Sequence, residues 1–151
     1  MDIVAKYSNY RLGNIKITIF VLLGLSVWFA YDGYYNPKFI DKHTVEGKPD
    51  DTLIVHKYFA FFAVPGAAVA TAAFFMLRKK QIVAGQDALQ INPVCSIPYD
   101  SIEEVDHTDY DASGNFTITY ADGGVNKKLV LSRKQWDGLE KVLDVVISKI
   151  S

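Results

Sequence analysis

Two long stretches without charge constrain this chain more than any other feature. Ile17 to Tyr31 reads ITIFVLLGLSVWFAY, and Tyr58 to Leu77 reads YFAFFAVPGAAVATAAFFML and ends in Arg78-Lys79-Lys80. With their flanks each gives roughly 20 residues, enough at ~1.5 Å per residue to cross a ~30 Å hydrocarbon core. Lys16 is near enough to the end of the first stretch to reach the headgroups. A cleaved signal peptide is disfavoured for that stretch, because Trp28-Phe29-Ala30 puts a bulky ring where a small residue is wanted. The expected organisation is therefore a cytoplasmic flank over 1–14, a membrane helix over 15–35, an outer loop over 36–54, a second membrane helix over 55–78, and a soluble domain over 79–151.

Aromatic and basic residues set the expected interfaces and orientation. Trp28, Tyr31, Tyr34, Tyr35 and Tyr58 gather at one level, where an apolar body and a polar tip suit the headgroup region. Arg78, Lys79 and Lys80 mark the opposite interface. Lys6, Arg11 and Lys16 flank the first helix against Asp2 alone, whereas the loop from Asp32 to Lys57 carries four lysines and five acids. The asymmetry predicts both termini in the cytoplasm. Small residues at helical spacing, Ala63 and Ala67, Gly66 and Ala70, with Gly24 opposite, are the expected helix contact. Pro65 should kink the second helix. Neither helix has an ionisable residue near its middle, which disfavours a transport pathway.

Charge and composition narrow the function further. Residues 1–80 hold ten basic and six acidic side chains, and residues 81–151 hold six and eleven. An acidic soluble half does not fit a nucleic-acid binder. The single cysteine, Cys95, excludes an intrachain disulfide. In the outer loop His43 and His56 lie near Asp41, Asp50 and Asp51 without the close spacing of a metal site, and a solvated loop is expected. Asp109-x-Asp-x-Ser-Gly opens like a calcium loop, but Tyr120 stands where a bidentate Glu is required, so a hairpin turn is expected. No phosphate loop, nucleophile elbow or zinc-helix motif occurs. The chain is expected to be no enzyme and to need no cofactor.

Beyond the basic run the periodicity becomes that of short strands. Ile82-Val83, Ala88 to Ile91, Ile97 onward, Phe116 to Tyr120 and Leu129 to Leu131 are separated by turn signals, with Asn92-Pro93 and Asp122-Gly123-Gly124 among them. Ser132 and Gln135 have capping-box spacing, and Trp136, Leu139, Leu143, Val146 and Ile150 form one helical stripe. About five antiparallel strands closed by one helix are expected, with Trp136 in the first helical turn.

The order of these elements, together with Ile97-Pro98-Tyr99-Asp100-Ser101-Ile102, resembles small bacterial pleckstrin-homology-like (PH-like) domains that follow a two-helix membrane hairpin. The resemblance implies a membrane hairpin plus a small α+β domain of seven strands and a C-terminal helix. It also implies a bacterial inner-membrane location and an interaction or scaffold role, such as that of an accessory subunit of a larger membrane complex, with the bilayer and other membrane subunits or further copies as partners. A small oligomeric transporter or channel component is the alternative. Lys127, Lys128, Arg133 and Lys134 are the basic residues available for a lipid or partner contact.

Overall fold

The computed structural model describes residues 2–91 and 95–150, and the Asn92-Pro93 turn lies outside them. In chain order the elements are β1 (Ile3–Tyr7), α1 (Asn9–Tyr34), α2 (Pro37–Lys42), β2 (Thr44–Val45), β3 (Lys48–Pro49), α3 (Asp51–Leu77), β4 (Gln81–Ala84), β5 (Ala88–Ile91), β6 (Cys95–Pro98), β7 (Ile102–Asp106), α4 (Tyr110–Ser113), β8 (Asn115–Asp122), β9 (Val125–Ser132), β10 (Trp136–Asp137) and α5 (Leu139–Ile150). They form two compact units. One contains residues 13–75; the other joins residues 1–12 to residues 76–151.

The first unit is the helical pair. α1 and α3 are both long and apolar enough to cross a membrane. Only 6% and 11% of their most apolar stretches are buried, unlike the core helix of a soluble protein. Asp50 starts α3 by accepting the Leu53 N–H on its carboxylate at 2.8 Å, satisfying a donor that has no partner within the helix. Pro65 lies inside α3. Between the helices the chain is more ordered than a solvated loop. Asn36 caps α2, whose first residue is Pro37, and Thr44-Val45 pairs with Lys48-Pro49.

The second unit is α+β. A five-stranded sheet runs β10-β1-β4-β5-β6, and a three-stranded sheet runs β7-β8-β9, with every pairing antiparallel. The sheets do not close into one. Strand alternation follows burial: Ile82 and Ala84, Leu89 and Ile91, and Phe116 and Ile118 point inward, each pair two residues apart. α5 buries Leu139, Val142, Leu143 and Val146 in the same core, at steps of three and four. Between β8 and β9, Gly123 and Gly124 both take positive φ (61° and 81°), the two-residue turn whose twist matches the strands.

The second unit has eight strands among the described residues where about five were expected, and two features depart further from the sequence reading. Residues 1–14 contain a strand: β1 lies inside the five-stranded sheet, pairing Lys6 with Gln81 on one side and with Asp137 on the other. Trp136 is not in the first turn of the terminal helix. It belongs to β10, opposite Tyr7, and the helix begins only after Gly138 at φ 83°. Ser132 and Gln135 form a turn instead of a capping box, with the Gln135 N–H donating to the Ser132 carbonyl at 2.9 Å. A partner strand at the far N-terminus gives Trp136 its extended backbone, so local spacing could not show it.

Candidate interaction surfaces

In the helical unit, Ala63 and Ala67 of α3 and Ser26 and Gly33 of α1 are buried. The Ser26 hydroxyl donates to the Leu22 carbonyl at 2.6 Å, so its polar atom is satisfied inside its own helix. The tightest backbone approach is at Gly33, where an added Cβ would lie 3.0 Å from the Lys57 nitrogen and 3.1 Å from the His56 carbonyl carbon. Gly24 is exposed, and a Cβ there would meet nothing within 4 Å. The close approach therefore belongs to Gly33, and Gly24 is no part of it. Gly66 is also exposed, with Leu22 at 3.9 Å, and Ala70 is half-buried. Trp28, Tyr31, Tyr34, Tyr35 and Tyr58 are all exposed; the Tyr34 hydroxyl donates to the Lys57 carbonyl at 3.0 Å. Lys16 lies over the Phe74 ring, 5.3 Å from its centroid.

The loop histidines are each engaged. His43 Nδ1 is 2.7 Å from Asp50 Oδ2, and its ring leans on Phe39. His56 stacks on Phe29 with centroids 4.1 Å apart and also meets Phe39, tilted, at 4.5 Å. The Leu53 N–H, and secondarily His43, hold the Asp50 carboxyl below the usual carboxylate range. Among the described residues no group of three or more His, Cys, Asp or Glu could hold a metal ion.

In the sheet unit the Ile97–Ile102 run acts as a corner. Tyr99 is buried where β6 gives way to β7, and its hydroxyl donates to the Gly85 carbonyl at 3.2 Å. Burial, with the charge of Asp2 second, pushes that hydroxyl's pKa up. The Asp106–Gly114 segment is a compact turn. Asp106 accepts from the Thr108 N–H and hydroxyl, which hold its carboxyl below the usual range, and Gly114 at φ 73° ends the single helical turn of α4.

Lys127, Lys128, Arg133 and Lys134, the basic residues expected at a lipid or partner contact, do not form one patch. Lys127 is salt-bridged to Asp122 at 2.6 Å beside the β8–β9 turn, and that contact strengthens its hold on its proton. Lys128 sits opposite Thr119, whose other neighbour across the sheet is Glu104. Lys127 is separated from Ser132 by roughly 15 Å of extended strand. Arg133 lies over the Tyr110 ring. Lys134 belongs to the β9–β10 turn, where its carbonyl accepts from Arg11 Nε at 3.1 Å. The sequence reading did not link Arg11 to Lys134, because no local signal connects positions at opposite ends of a chain.

No family model, curated protein or solved structure matches this chain.

Proposed function

We propose that this protein is a membrane-anchored interaction module, with α1 and α3 as a bilayer hairpin and a PH-like domain displayed in the cytoplasm. The observation that carries the reading is the rooting of both helices in one folded unit. β1 runs into α1, α3 runs into β4, and β1 and β4 are paired neighbours in one sheet. Such a chain ties a domain to a membrane through both ends of the hairpin, which suits a scaffold or an accessory subunit. Exposed Phe20, Phe61, Phe62, Val69 and Met76 on the two helices support contact with lipid or with other membrane helices. The PH-like reading is supported by two antiparallel sheets followed by α5: β1 and β4 to β9 match the seven strands expected, and the two-residue β10 is an eighth at the sheet's edge. On this reading the membrane hairpin is an insertion between the first and second strands of the domain. The groove at Pro65, lined by Ala60, Phe61, Val64 and Pro65, is apolar and offers nothing that favours a transport role.

Two experiments test the proposal. Cys95 is exposed, so it is first replaced by Ser. In that background Thr44→Cys should react with an impermeant thiol reagent in intact cells and Ser113→Cys should not; equal labelling would refute the topology. Crosslinking and affinity capture from mild detergent should return a defined partner or a homo-oligomer. A strictly monomeric protein that captures nothing would refute the scaffold role.

A further inference from the structure

We infer that the root of the hairpin is a binding site for anionic phospholipid headgroups, built by Arg11, Lys79, Lys80 and Lys134. This rests on the membrane reading above and adds a ligand to it. Three segments distant in sequence are fastened together here. The Tyr7 N–H donates to the Lys80 carbonyl at 3.1 Å, and the Ser8 N–H donates to the Gln135 carbonyl at 2.9 Å. Arg11 Nε donates to the Lys134 carbonyl at 3.1 Å. The start of α1, the segment after α3 and the β9–β10 turn thus meet at one place, each contributing basic side chains. Arg11, Lys79 and Lys134 are exposed and Lys80 is half-buried.

Asp137, two residues beyond Gln135 of the bonded turn, is already committed. Asp137 Oδ2 accepts the Asn9 N–H at 2.8 Å, and α1 has no acidic residue in its first turn. A guanidinium bonded through Nε retains four further N–H donors, a geometry suited to phosphodiester oxygens.

Chain continuity sets the depth of this site. Arg11 lies in the first turn of α1, and Lys79 and Lys80 directly follow α3. With those helices in the bilayer, all three are held at the level of the headgroups. Tyr10, 77% exposed next to Arg11, has the amphipathic ring favoured at that level. Leu12 and Leu77, at the two helix ends, pack against the domain's core, so the basic residues are fixed to a folded surface and not to a loose tether. Lys127 and Lys128, at the other end of β9, are outside the site.

The test uses the full chain in neutral detergent, in a Trp28→Phe background. Trp136, the other tryptophan, directly follows Gln135 of the bonded turn and reports there. Micelles doped with phosphatidylglycerol should shift its emission and raise the thermal midpoint saturably, whereas phosphatidylcholine should not. Neutralising Arg11, Lys79 and Lys134 with Gln should move the half-point about fivefold to higher lipid for each side chain removed. Lys127→Gln with Lys128→Gln should leave it in place. If the triple variant folds poorly, Lys134→Gln and Lys79→Gln singly carry the same expectation, and Lys134→Arg should retain binding. Equal responses to both lipids, or single variants that titrate like the parent, would overturn the inference. A response to inorganic phosphate at the same concentrations would assign the site to a soluble anion and overturn the lipid assignment. Failure of the scaffold role would leave these titrations unchanged, and failure of membrane insertion would show separately as a chain soluble without detergent.

Discussion

At the scale of single residues, the helix pair depends on one close approach. The backbone around His56 and Lys57 stands within 3.1 Å of where a Gly33 Cβ would be, and backbone cannot swing aside as a flexible side chain can. Gly33→Ala should therefore force the helices apart at a cost of about 1–3 kcal/mol, the usual range for overpacking. Gly24→Ala meets open space and should be tolerated. Thermal melts of both variants in detergent check this; equal midpoints would refute the packing assignment. Asp50 supplies a second test through pH. Its carboxyl is held below the ordinary value by the Leu53 N–H and by His43, so the ionised form is the one that the fold favours. The stabilisation is fully present above the ordinary carboxylate range and is lost as pH falls through the lowered folded value. The midpoint gap between the parent and Asp50→Ala should be widest near neutrality and should close below about pH 4. A gap that does not depend on pH would remove the carboxylate from the account.

At the scale of elements, β1 and β10 organise the sheet unit. Trp136 is 4% exposed and meets the Tyr7 ring edge-on at 5.8 Å, so its burial depends on a strand from the other end of the chain. Trp136→Ala in the full chain should cost about 3–5 kcal/mol, read as a lower unfolding midpoint of the sheet unit. An unchanged midpoint would move Trp136 from the core to the surface. These elements also show where the sequence was legible. The uncharged helices, the Phe116–Tyr120 alternation and the Gly123-Gly124 turn each carry their signal within a few residues. β1 is five residues long, and its partner Gln81 lies beyond both helices. Its alternation is too short to identify it, and the pairing that makes it a strand is wholly non-local. The Trp136 helix assignment failed for the same reason, since its spacing fits a helix and only Tyr7 makes it a strand. At the hairpin root, Arg11 and the residues after α3 were legible as charges, but their meeting with Lys134 was not. That contact exists only once β1 and β10 have paired.

At the scale of the whole molecule, the hairpin occupies the place of a turn. Lys6 pairs with Gln81, and the Tyr7 N–H reaches the Lys80 carbonyl, so residues 8–79 leave and re-enter the sheet at adjacent points. Two antiparallel strands that close together need only a two-residue turn to join them. Replacing residues 8–79 by Asn-Gly should thus give a domain that is monodisperse without detergent, with dispersed amide resonances and a cooperative melt. Residues 81–151 alone should not fold, because they lack β1 and leave β4 and β10 without the neighbour between them. The comparison isolates β1, since the two proteins differ only in the N-terminal segment, the turn and Lys80. If both fold equally well, β1 is dispensable and the helices are merely attached to the domain. If neither folds, the sheet needs the helical hairpin itself. If only the Asn-Gly protein folds, the sheet closes after the chain has passed through both helices, and the soluble unit then reports by its own stability that the hairpin ends have come together.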